Sequence, residues 1–362
     1  MTDSDARHST AGTANDGSTA RSGDAPDVLV AGESLIDFLP DSARPLADVA
    51  SFERRAGGAP ANVAVGLARL GNPPWFWTRF GEDPFGDYLA ETLAEAGVPR
   101  RFVERDPDAK TALAFVTRDA GGAGDSADRA NAETDDADAD RAFTFYRDGT
   151  ADTRLEPGGV PDAALDGASW VALGGVMLAA DPGRTATLDL ADRAAARDCT
   201  VVFDPNARPE LWASDAAFAD LALEAFDRAD VVKATPGDLA AAGIEADDPA
   251  SLAESVTKFG PHTALLTLGE SGSVAHATDD APWGPATAAH GGYDVDAVDA
   301  TGAGDAFTAG ALAAFADGES SLSAVLSLAN AVAALTTTAR GAMTALPTRE
   351  AVDAFRRNAS SS

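Results

Sequence analysis

Short, unbroken apolar runs recur along the chain and alternate with longer stretches of helical period. Val28–Gly32, Trp75–Phe80, Ser169–Gly174, Thr200–Phe203, Val231–Val232 and Ala264–Leu268 read as strands buried on both faces, because they leave no polar side for water. Between them, Ala59–Leu70 follows two glycines, Pro84–Ala96 opens on proline and closes at Gly97, and Arg184–Arg197 also reads as helical. A long helical region, Gly304–Ala339, breaks near Asp317-Gly318. Strands alternating with helices predict an α/β fold whose mostly parallel sheet is covered on both faces.

Two segments depart from this alternation. Asp37–Arg55 and Arg101–Thr150 hold short strand-like pieces, among them Thr111–Arg118 and Arg141–Arg147, which read as a hairpin. Residues 119–140 between these two are rich in Gly, Ala and Asp, the composition of a solvated loop insertion. Together the pieces predict a small β-sheet lid drawn from about 37–55 and 101–150. Residues 1–25 are small, polar and without period, and read as a disordered acidic arm. A single domain over 26–355 and a tail at 356–362 complete the division, with no internal repeat.

Charge changes this picture more than composition does. The 362 residues carry 58 Asp and Glu against 27 Lys and Arg, a formal charge of −31, and only Lys110, Lys233 and Lys258 are lysines. A hydrophobic share of 45% sets the chain apart from disordered acidic polymers. So negative a surface excludes charge-driven binding to nucleic acid or to an anionic membrane. Neither an apolar leader nor a membrane-length run is present, so the expected location is cytoplasmic. Cys199 is the only cysteine and sits in an apolar stretch, as a buried, inert thiol would; the four histidines have no metal-binding spacing. Scattered acid with almost no lysine reads as a cytosolic protein of a salt-accumulating organism, where multimolar salt screens the self-repulsion. Removing KCl should therefore weaken both folding and activity, and full stability in dilute buffer would refute the halophilic reading.

The strongest chemical element is Val298-Asp299-Ala300-Thr301-Gly302-Ala303-Gly304-Asp305-Ala306-Phe307. Small residues at 302–304 allow close backbone approach, and the N-terminus of the following helix suits a phosphate. A carboxylate at Asp305 beside an anion site makes sense if it takes the proton of an attacking hydroxyl. A glycine-rich helix entry with Asp305 as dipole partner accounts for it equally well. A second element, Gly57-Gly58-Ala59-Pro60-Ala61-Asn62, places Asn62 on a first helical turn, where it could bind a polyhydroxylated ligand or simply belong to a turn and cap. Gly122-Ala123-Gly124-Asp125 repeats the tetrapeptide with neither strand nor helix beside it, and is composition alone. No Gly-x4-Gly-Lys-[Ser/Thr] loop or strand-linked Gly-x-Gly-x-x-Gly is present.

The pair of elements resembles the two signatures of the ribokinase-like, PfkB family of carbohydrate kinases. Asp299–Phe307 is similar to the C-terminal signature, and Gly57–Ala64 with Gly71 and Gly81 to the N-terminal one. The resemblance runs from about Val28 to Val352. It implies a three-layer sandwich with a small β-sheet lid, and an ATP-dependent sugar kinase moving the γ-phosphoryl group to a sugar hydroxyl. Gly32-Glu33-Ser34-Leu35-Ile36-Asp37, Phe143–Asp152 and Phe203–Trp212 look like the fructokinase branch, with 2-keto-3-deoxygluconate kinases as close competitors. A non-catalytic sugar- or nucleotide-binding regulator on the same fold is the alternative from another class.

The resemblance also implies roles. Asp305 would be the general base, and the backbone of Gly302, Ala303 and Gly304 the anion hole. Asp37, Gly58, Asn62 and Arg147 would hold the sugar. Thr267, Gly269, Gly272 and Asn330, with the Arg340-Gly341-Ala342 turn, would hold the nucleotide. Mg²⁺ would accompany ATP, and Asp299 and Thr301 match positions near a monovalent-cation (K⁺) site. Where the family often carries Asn-x-x-Glu to organise Mg²⁺, this chain has Thr235-Pro236-Gly237-Asp238, leaving Asp238 as the metal candidate. Asn206 and Arg208 could add contacts near the phosphates. A homodimer pairing its lids would cover exposed strand edges.

Overall fold

A computed structural model describes residues 26–42, 44–118 and 141–359. The expected arm at 1–25, the insertion at 119–140 with its Gly122–Asp125 repeat, and the last three residues of the tail lie outside the described residues. Along the chain, β1 (Val28–Ala31), β2 (Leu35–Pro40) and β3 (Phe52–Gly57) lead into α1 (Ala59–Arg69). β4 (Trp75–Gly81), α2 (Pro84–Glu95) and β5 (Val103–Asp106) follow, then the antiparallel pair β6 (Leu113–Arg118) and β7 (Arg141–Tyr146). Next come α3 (Asp162–Leu165), β8 (Trp170–Gly174), α4 (Gly183–Ala195), β9 (Thr200–Asp204), α5 (Asp215–Phe226) and β10 (Val231–Ala234). After α6 (Pro236–Ala241), α7 (Pro249–Val256) and β11 (Thr263–Thr267), the hairpin β12 (Ser273–Ala277) and β13 (Ala286–His290) closes the sheet. The chain ends on α8 (Ala303–Ala316), α9 (Leu322–Thr337), α10 (Ala342–Ala345) and α11 (Arg349–Ala359).

Nine strands form one sheet in the order β13-β12-β11-β10-β9-β8-β1-β4-β5, parallel except at β12 and β13. Its two faces follow from alternation along each strand. Val28, Val30, Val202, Val231 and Leu265 pack against α1, α8 and α9, while Leu29, Ala31, Val201, Val232 and Leu266 pack against α4 and α7 on the other face. This is the expected three-layer α/β sandwich. No helix among the described residues is long and apolar enough to cross a membrane. Cys199 is 3% exposed, as its apolar setting predicts.

The small sheet has the order β3-β2-β6-β7 and holds the predicted hairpin. Phe38 stacks on Phe115 at 5.0 Å between centroids, and Phe52 meets both rings edge-on. One piece expected in the lid is elsewhere. Val103–Asp106 pairs in parallel with β4 at the edge of the large sheet, because β4, α2 and β5 form a β-α-β crossover. The hairpin β12–β13 carries no strong strand signal, since alanines occupy positions where β-branched residues would mark a strand.

The site follows from strand order. β1 runs outward to β4 and β5, and the chain then returns to lay β8 on β1's other side. At such a reversal the loops leaving the carboxyl ends of neighbouring strands diverge and open a crevice.

Candidate active site

A cavity lies at that crevice. Val30, Val63, Ala172 and Val202 form apolar walls, and Glu33, Asp204, Asn206 and Asp305 bring polar groups to it. Each acid follows from local sequence: Glu33 lies just beyond β1, Asp204 ends β9, and Asp305 is on the first turn of α8.

Asp305 and Asn62 are joined although far apart in sequence. Asn62 Nδ2 donates to Asp305 Oδ2 at 2.7 Å. This brings the first turns of α1 and α8 together. By helix geometry the first N–H groups of α8 have no carbonyl one turn back. Ala303 N–H donates instead to Ala300 O at 3.1 Å, and the first bond of the helix runs from Ala306 N–H to Gly302 O at 2.8 Å. Ala303, expected in the anion hole, thus spends its N–H on the turn, and the N–H groups of Gly304 and Asp305 remain for an anion.

Asp305 is half-buried by area yet densely surrounded by protein. Burial pushes its carboxyl up to about 6, against the Asn62 hydrogen bond and the nearby charges of Lys233 and Arg208, which favour ionisation. Asp37, on β2, is raised to about 7 by burial and by Asp305, with Arg208 opposing. Burial thus raises both carboxyls, and Asp305 adds to the rise at Asp37. A Cβ on Gly57 would stand 2.0 Å from Asp37 Oδ2, so only glycine admits the carboxyl over this turn. Gly58 has φ +104°, and a Cβ there would meet Glu33 O at 2.6 Å.

Around Gly58 the polar groups are incompletely paired. Glu33 is 2% exposed; its Oε1 accepts from Ala59 N–H at 3.2 Å, while Oε2 has no partner. Ser34 Oγ and Asn62 Oδ1 are likewise buried without a partner. Each such group costs about 1–3 kcal/mol when left unmet. Three of them lie around one glycine turn. Burial pushes the Glu33 carboxyl to about 7, against the charge of Arg147.

Arg147 does not reach into this cavity. It is 6% exposed, its Nε donates to Asp152 Oδ2 at 2.5 Å, and its Nη1 donates to Val176 O at 2.9 Å. Placed just after β7, it ties the lid to the body beside Glu33 instead of projecting toward a sugar; a buried guanidinium requires that pairing. Arg208 is the cation that faces the acids, acting on Asp37, Asp204 and Asp305 and standing 5.5 Å from the Phe143 ring of the lid.

The remaining expected residues divide. Thr267, Gly269 and Gly272 lie at the carboxyl end of β11, on the same edge of the sheet as the cavity. Asn330 is 6% exposed, and its Nδ2 donates to Ser273 Oγ at 2.6 Å and Leu326 O at 2.7 Å, so it ties α9 to β12. Asp299 Oδ1 accepts from Thr301 Oγ1 at 2.5 Å and its Oδ2 from Gly341 N–H at 3.0 Å, joining the loop before α8 to the turn before α10. Asp238 Oδ2 accepts from Thr235 N–H and Oγ1, both at 2.8 Å, and its Oδ1 from Ala207 N–H at 2.7 Å. Thr-x-x-Asp is therefore a reciprocal cap on α6, a helix-start pattern that the metal reading passed over. Among the described residues no cluster of His, Cys, Asp and Glu could hold a metal ion.

Sequence reasoning missed the roles of Glu33, Asp204 and Lys233. The signal was present: each is a charged residue within or at the end of an apolar run.

The chain matches the pfkB family of carbohydrate kinases over residues 25–136 and 128–349. It is 37% identical over 349 residues to a probable chloroplastic fructokinase of Arabidopsis thaliana, covering 93% of this chain and 83% of that protein. The crystal structure of a Xylella fastidiosa fructokinase with bound ATP superposes with a TM-score of 0.77 at 31% identity, covering 92% of this chain and 98% of that one. A double mutant of the Vibrio cholerae O395 fructokinase, with fructose, ADP and potassium bound, has a TM-score of 0.74 at 28% identity, covering 91% and 99%.

Proposed function

The chain belongs to the pfkB family of carbohydrate kinases, and from that premise we propose that this sugar kinase phosphorylates fructose with ATP, using Asp305 as general base. Family membership removes the non-catalytic reading. The observation that carries the base assignment is the Asn62–Asp305 hydrogen bond at the paired N-termini of α1 and α8. It holds one carboxylate oxygen and leaves the other for a sugar hydroxyl.

In the proposed reaction Asp305 takes the hydroxyl proton as the sugar oxygen attacks the γ-phosphorus in line. A new O–P bond forms, the bond to the β,γ-bridging oxygen breaks, and ADP leaves with its electron pair. Charge on the transferring group meets the N–H groups at the start of α8. The unpaired oxygens of Glu33, Ser34 and Asn62, with Asp37, would take the other hydroxyls of the sugar.

Mg²⁺ fits this site as an ion carried by the triphosphate and its own water, since Asp238 has both oxygens engaged by N–H and O–H donors. Bound there, it would neutralise phosphate charge. Asp299 and Thr301, expected near K⁺, have their side chains engaged with each other and with Gly341 N–H, so they brace the turn that backs Gly302.

The acids around the cavity favour a neutral sugar over a sugar acid. Arg147 is paired with Asp152 and Lys233 with Asp204, which leaves Arg208 to face Asp37 and Asp305. A ligand carboxylate would add like charge to that set. Assayed with ATP and Mg²⁺ in multimolar KCl, fructose should give the highest kcat/KM in a panel with glucose, ribose and 2-keto-3-deoxygluconate, and NMR of the product identifies the oxygen phosphorylated. Preference for the keto-deoxy acid would overturn the substrate assignment.

A further inference from the structure

Three lysines remain in a chain of 362 residues, and one of them is buried at the active site. Lys110 and Lys258 are exposed, whereas Lys233 is 5% exposed. It stands on β10 on the same face as Val231, toward α8. With Val202, Leu265, Thr308 and Leu312 it lines a small pocket under that helix.

Its ammonium is held in one place. Lys233 Nζ donates to Asp204 Oδ2 at 3.0 Å, and a Cβ on Gly304 would stand 3.0 Å from Nζ. The glycine at 304 thus leaves room for the ammonium to sit close behind the turn. A cation beneath a helix N-terminus opposes the helix dipole. A methionine of similar length would pack there without that repulsion or the desolvation of an ion pair. Packing alone therefore does not account for a lysine at 233.

We propose that Lys233 is a positioning residue for phosphoryl transfer: its ammonium, fixed by Asp204 behind Gly304, adds positive charge under the anion-binding turn that carries Asp305. This rests on the reading of Asp305 as the base. The charges that share the site are Asp37 on β2, Asp204 at the end of β9, Arg208 beyond it, Asp238 on α6 and Asp305 on α8. Lys233 lowers the proton affinity of Asp305 and Asp204 raises it, so the pair acts on the base with opposite signs.

That opposition supplies the test. The pH dependence of kcat/KM is measured for Lys233→Gln, Asp204→Asn and the double variant, with fructose, ATP and Mg²⁺ in KCl. In parallel, the Asp305 carboxyl is titrated by ¹³C NMR in aspartate-labelled protein and assigned by its loss in Asp305→Asn. Lys233→Gln should move the acid limb and the Asp305 titration up by roughly one unit. Asp204→Asn should move both down, and the double variant, in which no buried charge is left without its partner, should fall between the two. If Lys233→Gln fails to fold, the double variant and Asp204→Asn still set the order. An Asp305 titration that is the same in all folded variants would overturn the proposal whatever the base is. A titration that moves while the rate profile stays fixed would sink the base assignment and leave the Lys233–Asp305 coupling standing.

Discussion

Asp305→Asn should turn over roughly 10²- to 10⁴-fold more slowly than the parent enzyme while still binding ATP and sugar. The substitution keeps the shape of the side chain and an oxygen that can accept from Asn62 Nδ2, now 2.7 Å from Asp305 Oδ2. What it removes is the capacity to take a proton. Since Asp305 is raised to about 6, the parent's kcat/KM should fall as pH drops through that region, where the base becomes protonated. The variant's residual rate should lack this limb. A second consequence follows from the neighbour. Asp305 raises Asp37, so removing its charge should let Asp37 ionise at lower pH. Coupled-assay kinetics and calorimetric titration with ATP separate turnover from binding. Wild-type-like turnover would end the base assignment, and lost ATP binding would show that Asp305 also shapes the nucleotide site.

The fold was legible because its centre is simple. Short continuous apolar runs such as Val28–Ala31, bounded by glycine, fit strands buried on both faces, and the helix boundaries at Pro84 and Gly97 carry their own signals. Asp305 and Asn62 were legible as chemistry because polar residues at glycine-rich helix entries need a reason. Their contact was not, because it depends on how α1 and α8 meet across the sheet. Three of the expected site residues share one circumstance. Asn330, Asp238 and Arg147 are polar groups buried in the body, and burial obliges such groups to find partners near at hand. Asn330 found Ser273, Asp238 found Thr235 and Ala207, and Arg147 found Asp152. Sequence shows a polar residue but not whether its bonds are already used. Lys233 is the opposite case. Its neighbours in sequence are apolar, so it reads as an interruption of a strand until Asp204 and Gly304 are placed beside it.

Gly302→Ala should cost the enzyme roughly 10²- to 10³-fold in kcat, the scale of losing aligned donors at an anion hole. Gly302 caps α8 at φ +78°, a left-handed conformation that residues with a Cβ adopt at a cost. The added methyl would also lie 2.6 Å from Ala342 Cβ and 2.9 Å from Ala342 Cα, distances that force something to move. The turn at 341 cannot recede freely, because Asp299 Oδ2 holds Gly341 N–H at 3.0 Å. The first turn of α8 must therefore shift, taking with it the N–H groups of Gly304 and Asp305 and the Asp305 carboxyl. Local strain of this kind costs about 1–3 kcal/mol, so thermal unfolding should move down as well. Ala342→Gly in the same chain separates the two causes. It removes the closer contact and leaves the one to Cα and the backbone strain, so it should recover part of kcat and part of the melting temperature. Full activity and unchanged melting in Gly302→Ala would show that the turn yields without moving α8. The shift of the helix start, and with it the arrangement of the anion site, would then be wrong.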